Sequence, residues 1–150
     1  MREVPAPPGR GDAPGPLDVL ERWRRAVAEP EAAGFAALLA ADAVFEFPFA
    51  APGAPRRLDG REAIVGWIRG AAGARPFRFE AQRLLAVYET RDPEVLVAEL
   101  ELCGTIRGTG RPFAFPSIGV IRVRDGRIVS YRDYYNPRAV PEALEASGAR

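Results

Sequence analysis

Two hydrophobic periods divide the chain. Leu20, Trp23 and Val27 recur at helical spacing opposite Arg22 and Arg25, which predicts a helix that opens at Asp18 and closes near Pro30. Asp18 and Glu21 stand three apart, the spacing of a capping pair. Phe35, Leu38 and Leu39 predict a second, shorter helix over residues 31–41, followed by a strand over 44–49. After a loop carrying Pro48, Pro52, Gly53 and Pro55, Asp59 and Glu62 repeat the capping spacing ahead of Ile64, Trp67 and Ile68, a third helix that Gly70 and Gly73 end.

From Pro76 the period changes to long β-type runs. Residues 77–90, 94–107, 113–124 and 127–135 read as four successive strands joined by hairpin loops. The last junction places Asp125-Gly126 between Ile121-Arg122-Val123 and Ile128-Val129, the two-residue turn whose central residues both need positive φ. Helices first and a strand meander last predict an α+β domain, with helices on one face of a strongly bent antiparallel sheet that encloses an apolar pocket. Residues 1–16, rich in Pro and Gly, read as a disordered leader, 17–137 as the domain and 138–150 as a C-terminal tail.

Composition removes whole classes of chemistry. The chain has 47% hydrophobic and 27% charged residues, and no apolar run approaches the roughly 20 residues of a membrane span. Without a signal-peptide core in the leader, the expected compartment is the cytoplasm. The 21 basic residues, interleaved with 20 acidic ones for a net charge of +1, form no stripe for nucleic acid. All are Arg, so Schiff-base chemistry has no amine, and His is absent. Cys103 is the lone cysteine, read as a small buried side chain in a strand. A metal site and any Ser-His-Asp or Cys-His system lack their residues, so no metal or cofactor is expected and acid/base work falls to Asp, Glu, Tyr, Arg or water.

On the last strand, period-2 alternation puts Val129, Tyr131, Asp133 and Tyr135 on one face, and Ile128, Ser130, Arg132 and Tyr134 on the other. The first set suits the side facing the helices. Asp133 would then lie between two phenols in an apolar wall, where desolvation lifts a carboxylate towards acid/base work near neutrality. Its alternative is structural, pairing an Arg or capping Asn136-Pro137. Glu99 and Glu101 alternate with Leu96, Ala98, Leu100 and Leu102. The simplest pattern turns the leucines inward and the glutamates outward towards Arg122 or Arg124; leucines packed on a second subunit would instead bring Glu99 into the cavity beside Asp133. Phe45 and Phe47, alternating with Glu46, and the large aromatics Trp23, Trp67, Tyr88 and Phe115 are candidate pocket lining, or ordinary core.

The element order, with Leu58-Asp59-Gly60-Arg61-Glu62 at a helix start, Glu89-Thr90-Arg91-Asp92-Pro93 at a hairpin, and Arg124-Asp125-Gly126-Arg127-Ile128 followed by Tyr131-Arg132-Asp133-Tyr134-Tyr135-Asn136-Pro137, resembles the NTF2-like superfamily. This is the cone-shaped fold of ketosteroid isomerase, SnoaL-type polyketide cyclases and limonene epoxide hydrolase. The likeness covers roughly residues 18 to 137 and is nearest to the SnoaL-like and phenazine-biosynthesis A/B-type proteins. In the latter, the resemblance implies, an acid at the place of Asp133 works as acid/base, while a pocket His is replaced here by Trp67.

It further implies a homodimer and an aromatic or polyketide-like small-molecule substrate from bacterial secondary metabolism. The expected activity is cofactor-independent isomerisation or cyclisation, with Asp133 moving the proton and Tyr131 or Tyr135 donating to the oxyanion. A non-catalytic dimeric binding module is the alternative. An epoxide hydrolase, for which Glu99 and Arg107 would have to join Asp133 around one water, is a further one.

Overall fold

The computed structural model describes residues 13–29, 33–74 and 76–148. The expected leader lies largely outside these, as do residues 30–32 of the first helix-helix junction. Helix α1 (Pro16–Ala28) buries Leu20 and Trp23 of the stripe read from the sequence, with Val27 partly buried and Val19, outside that stripe, buried beside them. It starts two residues earlier than Asp18, because Pro16 presets the first turn; Gly15 is the N-cap and Asp18 lies in the first turn without capping. Glu21 pairs with Arg24 one turn on, at 2.8 Å.

The second predicted helix is only a 3-10 helix (Ala33–Leu38), and strand β1 (Leu39–Glu46) begins inside its expected span. Helix propensity yields here to tertiary pairing: Leu39 sits opposite Ile128 of the last strand, and both are fully buried. A short strand β2 (Arg57–Asp59), absent from the sequence reading, pairs with β1, and Asp59 belongs to it rather than to a cap. Gly60, with φ 89°, makes the turn into helix α2 (Arg61–Ala74).

The long strands β3 (Phe77–Glu89), β4 (Val95–Ile106), β5 (Pro112–Arg124) and β6 (Arg127–Tyr135) follow as predicted. Asp125 (φ 50°) and Gly126 (φ 73°) both take the left-handed conformation that their hairpin requires. The sheet order is β2-β1-β6-β5-β4-β3. It is mixed rather than wholly antiparallel, because the meander brings β6 back alongside β1 in parallel. Two register shifts in β3, between Phe79 and Ala81 and between Leu84 and Ala86, add twist to the long arm of the sheet. At the first of them Gly104 passes so close to β3 that a Cβ would stand 1.9 Å from the Arg78 carbonyl oxygen.

The main core lies between α1, the 3-10 helix, α2 and the concave sheet face, with Phe35, Ile64, Leu100 and Ile121 fully buried. Each such side chain contributes about 1.5–3 kcal/mol by its burial. A separate aromatic cluster of Phe77, Phe113 and Ile106 occupies the far end of the sheet. There the expected tail folds as helix α3 (Ala139–Ser147), which sets Ala143 and Leu144 against the cluster and ends at Gly148 (φ 68°).

Candidate functional site

Strand β6 carries the candidate acid on the concave face. Its partners on β5 are Ile121 for Tyr131, Gly119 for Asp133 and Ser117 for Tyr135. The Asp-Gly turn alone would place Ile118 opposite Asp133. A bulge shifts the register: Val123 pairs with Ile128 and Arg122 with Ser130, which leaves Val129 as the extra residue. Simple alternation therefore fails at this point. Ile128, assigned to the outer face from the sequence, is fully buried, Val129 is not on the face expected for it, and Tyr131, Asp133 and Tyr135 still turn inward beyond the bulge.

Tyr131 is only 5% exposed. It packs on Phe45 at 5.1 Å and Trp23 at 6.2 Å between ring centroids, and Trp23 meets Phe45 at 5.6 Å. Tyr135 belongs to a second group with Phe47 at 6.1 Å, and Phe47 lies 5.0 Å from Trp67 of α2. Asp133 stands between these two groups with Oδ1 shielded from solvent. Burial pushes the Tyr131 phenol well above its ordinary pKa, and the nearby Asp133 charge adds to the rise. Tyr131 thus keeps its proton and can donate but not act as a base.

Six candidate residues besides Asp133 therefore share this region: Trp23, Phe45, Phe47, Trp67, Tyr131 and Tyr135. The others do not. Tyr88 is 52% exposed on the outer face opposite Val97, because the second β3 register shift moves the inward position to Val87. Phe115 stacks on Phe113 at 4.5 Å in the far cluster. Glu99 faces outward between Ala86 and Ile118 while Leu96, Ala98 and Leu100 are buried. Its neighbour Glu101 pairs with Arg83 across β3 at 2.5 Å. Arg122 and Arg124 instead hold Glu94, at 3.0 and 2.9 Å. Arg107 lies eight residues from Glu99, roughly 26 Å along extended chain, so Glu99, Arg107 and Asp133 do not surround one water.

Gly119 was missed from the sequence. A Cβ there would lie 2.9 Å from Tyr131 Oη, so the glycine makes room for the phenol beside Asp133. The only signal was its place opposite Asp133, which the bulge hides.

A model of the SnoaL-like domain matches residues 20–131. The chain belongs to this SnoaL-like family. Its fold is the ketosteroid isomerase-like cone of the NTF2-like superfamily. The PhzA/B-like protein PA3332 of Pseudomonas aeruginosa is 35% identical over 127 residues, 85% of this chain and 88% of that protein. A crystal structure of a candidate isomerase from Bacillus subtilis superposes with a TM-score of 0.77 at 34% identity, covering 86% of this chain and 91% of that one. A protein of ketosteroid isomerase-like fold from Catenulispora acidiphila gives 0.68 at 26% identity, covering 91% and 96%.

Proposed function

We propose that this SnoaL-like protein is a cofactor-independent acid/base catalyst that isomerises or cyclises a small, largely apolar ketone. Asp133 takes the proton from the carbon beside the carbonyl, and Tyr135, backed by Tyr131, donates a hydrogen bond to the enolate oxygen. The observation that carries the reading is the solvent-shielded Asp133 Oδ1 between two tyrosines on the concave wall. The likeness to a candidate isomerase and to a PhzA/B-like protein supports it. The aromatic groups on both sides of Asp133 suit a flat, aromatic or polyketide-like substrate from bacterial secondary metabolism, handled in the cytoplasm. No helix among the described residues is long and apolar enough to cross a membrane.

The working unit in this proposal is a homodimer joined through the outer sheet face. An open groove of about 620 Å³ beside the end of β6 is lined by Phe49, Leu85, Glu99, Ile118 and Tyr134 of this face and also reaches Ser117 and Tyr135. Phe49, Leu85 and Ile118 are exposed large apolar side chains.

The test is solvent deuterium exchange at the α-carbon of 2-tetralone, followed by NMR. Native protein should catalyse exchange and Asp133→Asn should lose it by about 10²–10⁴-fold at similar affinity. Binding without exchange in the native protein would replace catalysis by a ligand-binding role, and equal exchange in Asp133→Asn would remove that residue from the chemistry.

A further inference from the structure

The concave face carries one more polar side chain whose placement the proposed chemistry does not explain. Strand β3 pairs Phe79 with Gly104 and then Gln82 with Leu102, with Ala81 opposite Cys103. Plain alternation from Phe79 would turn Ala81 inward. The register shift turns Gln82 inward instead and leaves Ala81 exposed on the outer face. A polar side chain thus replaces a methyl group in a wall whose neighbours across the sheet are Leu102 and, beyond it, Phe115.

The backbone at this point is held firmly. Arg24 Nε donates to the Gln82 carbonyl oxygen at 2.9 Å, and Arg24 Nη1 is itself held by both Glu21 carboxylate oxygens at 2.9 and 2.8 Å. The side-chain amide contrasts with this. Gln82 Oε1 is buried and has no hydrogen-bond partner among the described residues. A buried acceptor left unmade is costly, and bulges recur where a side chain is re-aimed at a ligand.

We infer that Gln82 is a second recognition point on the concave face that carries Asp133, set towards the far cluster at the level of Phe115, its amide oxygen accepting a hydrogen bond from a hydroxyl at the far end of the substrate. The inference rests on the reading of the concave face as the substrate site. From the pairing registers, Gln82 and Asp133 lie four residues apart along the strands and three strands apart across them. These offsets are roughly 13 and 14 Å before curvature brings the two ends together. The substrate class is therefore an extended fused-ring ketone, with its enolisable carbonyl at Asp133 and a hydroxyl on the opposite end.

The test compares 17β-hydroxy-5α-androstan-3-one with 5α-androstan-3-one, a fused-ring pair whose carbonyl and hydroxyl stand at opposite ends of an extended skeleton, with affinities measured by ligand-observed NMR. Native protein should bind the hydroxylated ketone about tenfold more tightly. Gln82→Met, or Gln82→Leu as a second variant, should bring that ratio close to one without lowering the melting temperature of the ligand-free protein, since it removes an unsatisfied acceptor. Asp133→Asn should keep the ratio and lose deuterium exchange. A hydroxyl preference without exchange would sink the catalytic reading and leave Gln82 standing. Exchange without the preference would do the reverse. The role is overturned if native protein fails to favour the hydroxylated ketone, including by binding neither, or if both Gln82 variants retain the ratio.

Discussion

Gly119→Ala is a small change with a consequence that can be worked from distances. The added Cβ would stand 2.9 Å from Tyr131 Oη, 3.1 Å from Cζ and 3.2 Å from Cε1. Backbone strain does not enter, because Gly119 is not among the positive-φ glycines. The ring cannot swing aside, since Phe45 and Trp23 pack on it. Such overpacking costs about 1–3 kcal/mol. In a chain of this size that corresponds to a fall in Tm of roughly 3–10 °C. Tyr131→Phe removes the closest atom but leaves Cζ in place, so the clash is relieved only in part.

A double-mutant cycle in a thermal or urea melt should therefore give Gly119→Ala/Tyr131→Phe a smaller loss than the sum of the single losses, by about 0.5–1 kcal/mol. Additive losses, or a Gly119→Ala variant that melts with the native protein, would show that Gly119 does not seat the phenol. The placement of Tyr131 beside Asp133 would then fall with it.

Two further outcomes follow from the outer face and the β4–β5 edge. The backbone N–H of Glu94 and the Arg122 guanidinium hold the Asp92 carboxyl below its usual range, and Arg124, followed by Arg122, does the same for Glu94. Both pKa values are depressed on folding, so the associated stability is full above the unfolded carboxylate range and is lost as pH falls through the lower, folded values. Melting temperature should drop below about pH 4, and Arg122→Gln should flatten that drop; an identical acid profile in the variant would refute the linkage. Light scattering on the native protein should give twice the chain mass, and Ile118→Asp, which charges the apolar groove, should give monomer. A native monomer at micromolar concentration would remove the dimer.

The fold was legible wherever one period ran unbroken. Leu20 and Trp23 are buried as their spacing requires, and Asp125-Gly126 adopts the turn its residues favour. The misreadings share one cause, which is that partners distant in sequence decide local structure. The segment ending in Leu39 gave up a helix because Ile128 lies opposite it, and Asp59 left the capping position because β1 pairs with its strand. Tail residues 139–147 formed a helix because an aromatic cluster from β3–β5 gives Leu144 a surface to bury.

The site shows the same limit more sharply. Alternation turned Asp133 inward between Tyr131 and Tyr135 because the face with a valine and two tyrosines was chosen, which wrongly put Val129 on it; counted from the turn, the same rule buries Ile128 and turns Asp133 outward. Tyr88 and Phe115 were misplaced for the complementary reason. Register shifts in β3 moved the inward position from Tyr88 to Val87, and the length of β5 carried Phe115 away to the other cluster. A bulge adds one unpaired residue, which a pattern of period two cannot register, yet it decides which side chains face the cavity. In this sheet bulges set the inward positions of both Asp133 and Gln82, so the residues that decide the chemistry sit where the sequence pattern is least informative.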